Sequence, residues 1–283
     1  MSENNSPEAI RVTQRIEHIF GLRRTGHHAV LAWLQDCYRA KGLTTHHANS
    51  VFNEHLRWGL HSPDPNPKEI WQEATGSDVL LANYEDVAYA DRRTAPVYNA
   101  LQAERTDLPA RDTVIVRDWY NMVASRLKYI ANADEIGRYT ITAALDWPIV
   151  ARRWVDHATT LVEPPSGTSS FVGINYSRWL VDRDYRESLA ACYDLPNSES
   201  TLDTVSAFGL GSSFNGFDKD GQAREMNLLR RWQDLETIEL RSAYLAAIDV
   251  DRFAIDALNR HLFGFGYSEV AASLEHRDNL GGL

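Results

Sequence analysis

Basic residues, sulfur and long apolar runs are all scarce in this sequence. Its 283 residues carry 29 lysines and arginines against 39 aspartates and glutamates, a net charge of −10. That balance argues against general binding to nucleic acid or to anionic membranes. Two cysteines, Cys37 and Cys192, cannot build a disulfide framework and suit a reducing compartment. No run approaches the roughly 20 apolar residues that cross a bilayer. Met1 to Glu8 is polar and has no apolar signal region, so the expectation is a cytoplasmic protein. A Walker A loop is missing too, and with it the hydroxyl that would hold Mg²⁺, which disfavours nucleoside triphosphate hydrolysis. No repeat, low-complexity block or linker divides the chain. A single domain over 1–283 is expected, with 1–12 as a flexible tail.

What is present begins with Phe20-Gly21-Leu22-Arg23-Arg24-Thr25-Gly26-His27-His28-Ala29. Before it, Arg15 to Leu22 reads as a short apolar strand. After it, Val30, Trp33, Leu34, Cys37 and Tyr38 recur at helical spacing, which predicts a helix from about Gly26 to Ala40. A strand that enters a helix through so tight a turn aims backbone N–H groups at one point, where the helix dipole adds positive potential. Arg23 and Arg24 bring full charge to that point. The chemistry asked for is an anion, a phosphate or a sulfate.

Further strands are expected at Ala48–Phe52, Asp78–Tyr84, Thr113–Val116 and Ser169–Tyr176. Helices are expected at Pro96–Glu104, Trp119–Ile130, Trp147–Leu161, Ser177 to about Tyr193, Gln222–Leu235, Thr237–Ala247 and Asp251–Phe263. Residues 54–68, rich in His and Pro, read as a loop, and 131–145 as a lid or substrate loop. Strand and helix alternate from end to end. This calls for an α/β fold: a central parallel sheet flanked by helices, whose ligands sit beyond the carboxyl ends of the strands. A second arginine-bearing junction lies there. Val114-Ile115-Val116 ends in Arg117-Asp118, and Ser125 follows eight residues after the arginine in the helix that leaves the strand. Arg117 and Ser125 can grip one phosphate together; an ordinary ion pair between Arg117 and Asp118 is the plainer reading.

These two stretches, in this order and about 90 residues apart, resemble the donor-binding motifs of sulfotransferases that use 3′-phosphoadenosine 5′-phosphosulfate. Arg24-Thr25-Gly26 stands where that family's phosphosulfate loop has a basic residue, Ser or Thr, and Gly; His27 and His28 replace its usual hydroxyl pair. Arg117 and Ser125 match its grip on the donor's 3′-phosphate. Gly173-Ile174-Asn175-Tyr176 is similar to the strand ending in a tyrosine beside the adenine, although Ser177 replaces the usual acidic residue; a core tyrosine is the alternative. Phe208–Gly216, with Ser212 and Ser213, is similar in place to the late loop that closes over the 3′-phosphate, but it has no arginine or lysine before Lys219 and reads equally as a surface loop.

The resemblance implies a three-layer fold like that of P-loop nucleotide kinases, metal-independent sulfuryl transfer, and a small-molecule or carbohydrate acceptor. Its donor-site residues would be Arg23, Arg24, Thr25, Gly26, His27, His28, Ala29, Arg117, Ser125, Tyr176, Ser212 and Ser213. Arg24 would stabilise the leaving phosphate, and Thr25, His27 or His28 the sulfuryl oxygens. For the general base, Glu85 at the end of the Asp78–Tyr84 strand is preferred and His55 comes next. His46, His47 and His61 fit no zinc spacing. A P-loop-type small-molecule kinase and a non-catalytic nucleotide-binding module are the competing readings.

Overall fold

The computed structural model describes residues 13–53, 66–135, 146–166, 170–205, 212, 214–216 and 218–280. Five strands form one sheet: β1 (Arg15–Gly21), β2 (Thr45–Asn53), β3 (Val79–Glu85), β4 (Ala110–Val116) and β5 (Phe171–Asn175). Their order is β2-β3-β1-β4-β5, with every neighbouring pair parallel. β1 is therefore central, and β3 is buried along its whole length, as parallel strands covered on both faces must be.

Alternate residues of the strands feed two separate cores. Ile16, Phe20, Leu80, Ala82, Tyr84, Val114 and Val116 point to one face. Ile19, Val79, Leu81 and Ile115 point to the other. The second face is covered by α1 (His27–Ala40), α6 (Tyr176–Val181) and α7 (Arg183–Cys192) through Val30, Leu31, Trp33, Leu34, Trp179 and Leu189. The core of the first face is shared with α2 (Pro67–Glu73), α3 (Pro96–Glu104), α4 (Trp119–Glu135) and α5 (Trp147–Val162), and outside these α8 (Ile238–Ile248) packs on α4, α9 (Arg252–Phe263) on α5 and α10 (Tyr267–Leu280) on α8. The expected three-layer α/β arrangement is the one found. No helix among the described residues is long and apolar enough to cross a membrane.

Several expectations need correction. α2 begins at Pro67, capped by the Asn66 side chain, so the expected loop stops short of Lys68. The helix from Trp119 continues to Glu135. The helix expected over Ser177–Tyr193 is two, because Asp182 leaves helical geometry and its side chain caps Tyr185 N–H. Tyr176 opens α6 and does not end β5. Gln222–Leu235 contains only two 3₁₀ turns, Ala223–Glu225 and Arg231–Asp234. Beyond β5 the alternation of strand and helix ends, and α10 adds a helix that the apolar pattern did not announce. The tail 1–12, residues 54–65 with His55 and His61, residues 136–145, and residues 206–211, 213 and 217 of the late Gly/Ser stretch, Ser213 among them, lie outside the described residues.

Candidate functional site

The register of the sheet decides what meets at its carboxyl edge. Gly21, the last residue of β1, lies opposite Glu85 of β3 and opposite Ile115 of β4. The turn after β1 and the arginine after β4 thus emerge side by side. Between them opens a cleft of about 350 Å³ lined by both.

The β1–α1 turn is tight because Thr25 closes it. The Thr25 N–H and hydroxyl both donate to Leu22 O, at 3.1 and 2.7 Å. That hydroxyl is buried and serves the turn; Thr25 does not line the cleft, although it was expected to bind the donor. Arg24 and Gly26 take left-handed backbone angles, φ 69° and 83°. A side chain at Gly26 would also run into the ring of Tyr176, so this position needs glycine twice over. Among the described residues no side chain caps α1, and its first turn holds no acid, which keeps the positive end of the helix open to an anion. Arg23, Arg24, His27, His28 and Ala29 line the cleft. The Arg24 guanidinium lies 4.0 Å above the Tyr129 ring. Burial pulls its pKa down to about 10, which leaves it charged at neutral pH.

At the β4–α4 junction Arg117 is 4% exposed. Its Nη1 donates to Ser125 Oγ at 3.3 Å and to Arg24 O at 3.0 Å, and its Nη2 to Leu228 O at 2.5 Å. The first of these brings together the two residues expected to share a phosphate; the second joins the two junctions directly. Tyr176 lies beneath, with its ring centroid 5.4 Å from the Arg117 guanidinium and 5.6 Å from the Trp179 ring. Ser212 also lines the cleft. The Gly/Ser stretch lacks a cation of its own, but the fold delivers one. Arg231, buried, donates to Asn215 Oδ1 at 2.9 Å and Ser212 Oγ at 3.2 Å. Its pKa falls to about 10, through burial first and then the nearby charge of Arg117. Two buried cations that repel each other make a favourable place for an anion. Sequence reasoning missed Arg231 because it sat in a stretch read as a helix, Gln222–Leu235, with no motif to mark it. Tyr129 and Arg126 were missed because nothing in their spacing marks them.

Glu85 lies at the cleft's other wall. His27 Nε2 donates to its Oε1 at 2.6 Å, His28 Nε2 lies 3.4 Å from the same oxygen, and Arg23 Nε donates to Oε2 at 3.2 Å. Burial pushes the Glu85 carboxyl up, but the bonds from His27 and His28 and the charges of His27 and Arg23 outweigh it and hold it well below the usual range. Burial, then the neighbouring His27, lowers His28 to about 4, so its imidazole is neutral at physiological pH. The donor atoms of His27, His28 and Glu85 lie within 4.8 Å of one another, close enough for a metal ion. The positive end of α1 and Arg23 oppose a cation there.

No family model and no curated protein matches this chain. Among solved structures it is similar to the sulfotransferase domain of the Synechococcus PCC 7002 olefin synthase, at 13% identity over 86% of this chain and 96% of that one, with a TM-score of 0.43. It is also similar to a sulfotransferase domain from the curacin biosynthetic pathway, at 13% identity over 84% and 98% of the two chains, with a TM-score of 0.39.

Proposed function

We propose that the protein is a sulfotransferase that moves a sulfuryl group from 3′-phosphoadenosine 5′-phosphosulfate to a hydroxyl or amine of a small-molecule or carbohydrate acceptor. One observation carries this reading. Arg117 reaches across to the carbonyl of Arg24, so an uncapped helix end and a buried pair of arginines face one cleft, as a ligand with two separated anionic groups requires. The motif resemblance supports the identity of that ligand. In this reading Arg24, Arg23 and the start of α1 take the 5′-phosphosulfate. Arg117, Ser125 and Arg231 with Ser212 take the 3′-phosphate, and Tyr176 and Trp179 flank the base.

Transfer is an in-line displacement. The acceptor oxygen or nitrogen forms a bond to sulfur, the bond from sulfur to the phosphate oxygen breaks, and adenosine 3′,5′-bisphosphate leaves with the electron pair. Arg24 and the positive end of α1 stabilise the charge that develops on the leaving oxygen. The acceptor proton passes to the cluster of Glu85, His27 and His28. Glu85 at its lowered pKa and His28 at about 4 are both weak bases at rest; the proton goes to the cluster that they form with His27, where the Glu85 carboxylate stabilises positive charge as it appears. His55 remains the other candidate for this role.

The test is calorimetric binding followed by transfer of labelled sulfate. Adenosine 3′,5′-bisphosphate should bind without Mg²⁺ and more tightly than ATP with Mg²⁺. Mg²⁺-dependent ATP turnover would instead identify a kinase, and bisphosphate binding with no transfer or donor hydrolysis a non-catalytic module.

A further inference from the structure

The anion-binding turn is held in shape by an ion pair that no motif announces. Asp86, the residue after β3, is 3% exposed and left-handed at φ 59°. Its N–H donates to Gly21 O at 3.1 Å, folding the chain back over the end of β1. Its Oδ1 accepts the Arg23 N–H at 3.0 Å and also a bond from Arg126 Nη2. Arg126, from α4 and 3% exposed, donates through Nε to Arg23 O at 3.0 Å. Both backbone polar groups of Arg23 are thus gripped by one buried pair whose members come from two other elements. The following carbonyl, Arg24 O, is held by Arg117 at 3.0 Å.

A non-glycine residue in the left-handed region costs about 1–3 kcal/mol and persists only where its surroundings over-determine it. Here Arg24 is such a residue, and the grip on Arg23 and on Arg24 O is what surrounds it. We infer that Asp86 and Arg126 form a positioning pair that fixes the Arg23–Gly26 turn in its anion-binding shape before the ligand arrives, so that binding does not bear the cost of ordering it. The pair acts through Arg23 and Arg24. The ligand named above rests on the preceding section; the latch does not.

Asp86→Asn gives the discriminating test, because Asp86 does not line the cleft and its loss makes the neighbourhood more positive. By charge alone, anions should then bind equally or more tightly. The latch demands the opposite. Binding of inorganic pyrophosphate and of adenosine 3′,5′-bisphosphate to the full chain should weaken about tenfold, the loss of one charge-assisted bond. Hydrogen exchange of residues 21–28 without ligand should accelerate, while β3 residues 79–84 stay protected. Unchanged or tighter binding with unchanged exchange would overturn the proposal. If Asp86→Asn does not fold, Arg126→Lys keeps the charge but loses the two-pronged grip on Arg23 O and Asp86; faster exchange of 21–28 supports the latch and unchanged exchange refutes it. Should pyrophosphate bind and the bisphosphate add nothing, the sulfonucleotide reading fails while the exchange result still decides the latch. If the wild type binds neither, exchange alone decides it.

Discussion

The β1–α1 and β4–α4 junctions share one topology, a parallel strand that turns into a helix at the same sheet edge, yet they offer an anion opposite things. α1 starts behind a left-handed glycine with no side-chain cap, so the backbone itself presents positive potential. α4 starts behind Asp118, which is buried and accepts Asn121 N–H at 2.8 Å. The Trp119 N–H donates to Asn259 Oδ1 of α9 at 2.9 Å, so side chains satisfy this helix end, and burial raises the Asp118 carboxyl against the pull of Arg117. There the cation is a side chain, Arg117. Helix dipoles and arginines are two routes to the same field, and this cleft uses one on each side. In a chain at −10 overall, Arg23, Arg24, Arg117, Arg126 and Arg231 all line this one cleft.

The largest expected effects separate the two junctions by ligand. Arg24→Ala should weaken both inorganic pyrophosphate and adenosine 3′,5′-bisphosphate by about 1.5–3 kcal/mol, the worth of a charge-assisted bond. Arg117→Ala should weaken the bisphosphate by that amount and pyrophosphate by distinctly less, since it also frees Arg24 O. Calorimetry on the two ligands checks both, and equal losses on pyrophosphate would break the division of labour. Next comes Gly26→Ala. Strain of about 1–3 kcal/mol and the collision with Tyr176 should lower the melting temperature and distort both subsites at once, visible as weaker binding of both ligands.

A control comes from the amino half of the same sheet. Glu17 in β1 is fully buried, accepts the Tyr38 hydroxyl at 2.6 Å and lies 3.7 Å from Arg111. Burial pushes its carboxyl from 4.5 up to about 7, against the pull of Arg111 and Tyr38. The folded chain therefore holds this proton more tightly than the unfolded one. That stabilisation is complete below about 4.5 and is lost as pH rises through about 7. Glu17→Gln should be more stable than wild type by on the order of 2 kcal/mol at pH 8. The two should converge near pH 5, with ligand affinity unchanged throughout. Denaturant titrations at both pH values measure it, and a wild type favoured at pH 8 would sink it. The smallest effect is a null one: EDTA should leave bisphosphate affinity unaltered, and a loss would give the His27–His28–Glu85 set a resident metal.

Much of the frame was legible from residues alone. The apolar runs at β1, β3 and β4 marked strands because each needs burial on both faces, and Pro96 and Trp119 opened helices where expected. That Arg24, Gly26 and Arg117 emerge at the carboxyl edge of the sheet was legible for the same local reason: a turn between strand and helix fixes where its side chains emerge. What failed was non-local. Thr25 looked like a ligand residue, but its hydroxyl turns back to Leu22. Glu85 looked like a lone base, but the β1–β3 register sets it against two imidazoles.

Sequence by itself determined the parallel sheet, the order of its central junctions and the two arginines that face the cleft, because short-range periodicity and turn chemistry suffice for these. Only the tertiary structure decided that Arg231 arrives beside Arg117, that Asp86 and Arg126 grip Arg23, and that Glu85 is a carboxylate already engaged. Such pairings depend on register and packing between segments far apart in the chain, and no local pattern of residues encodes them.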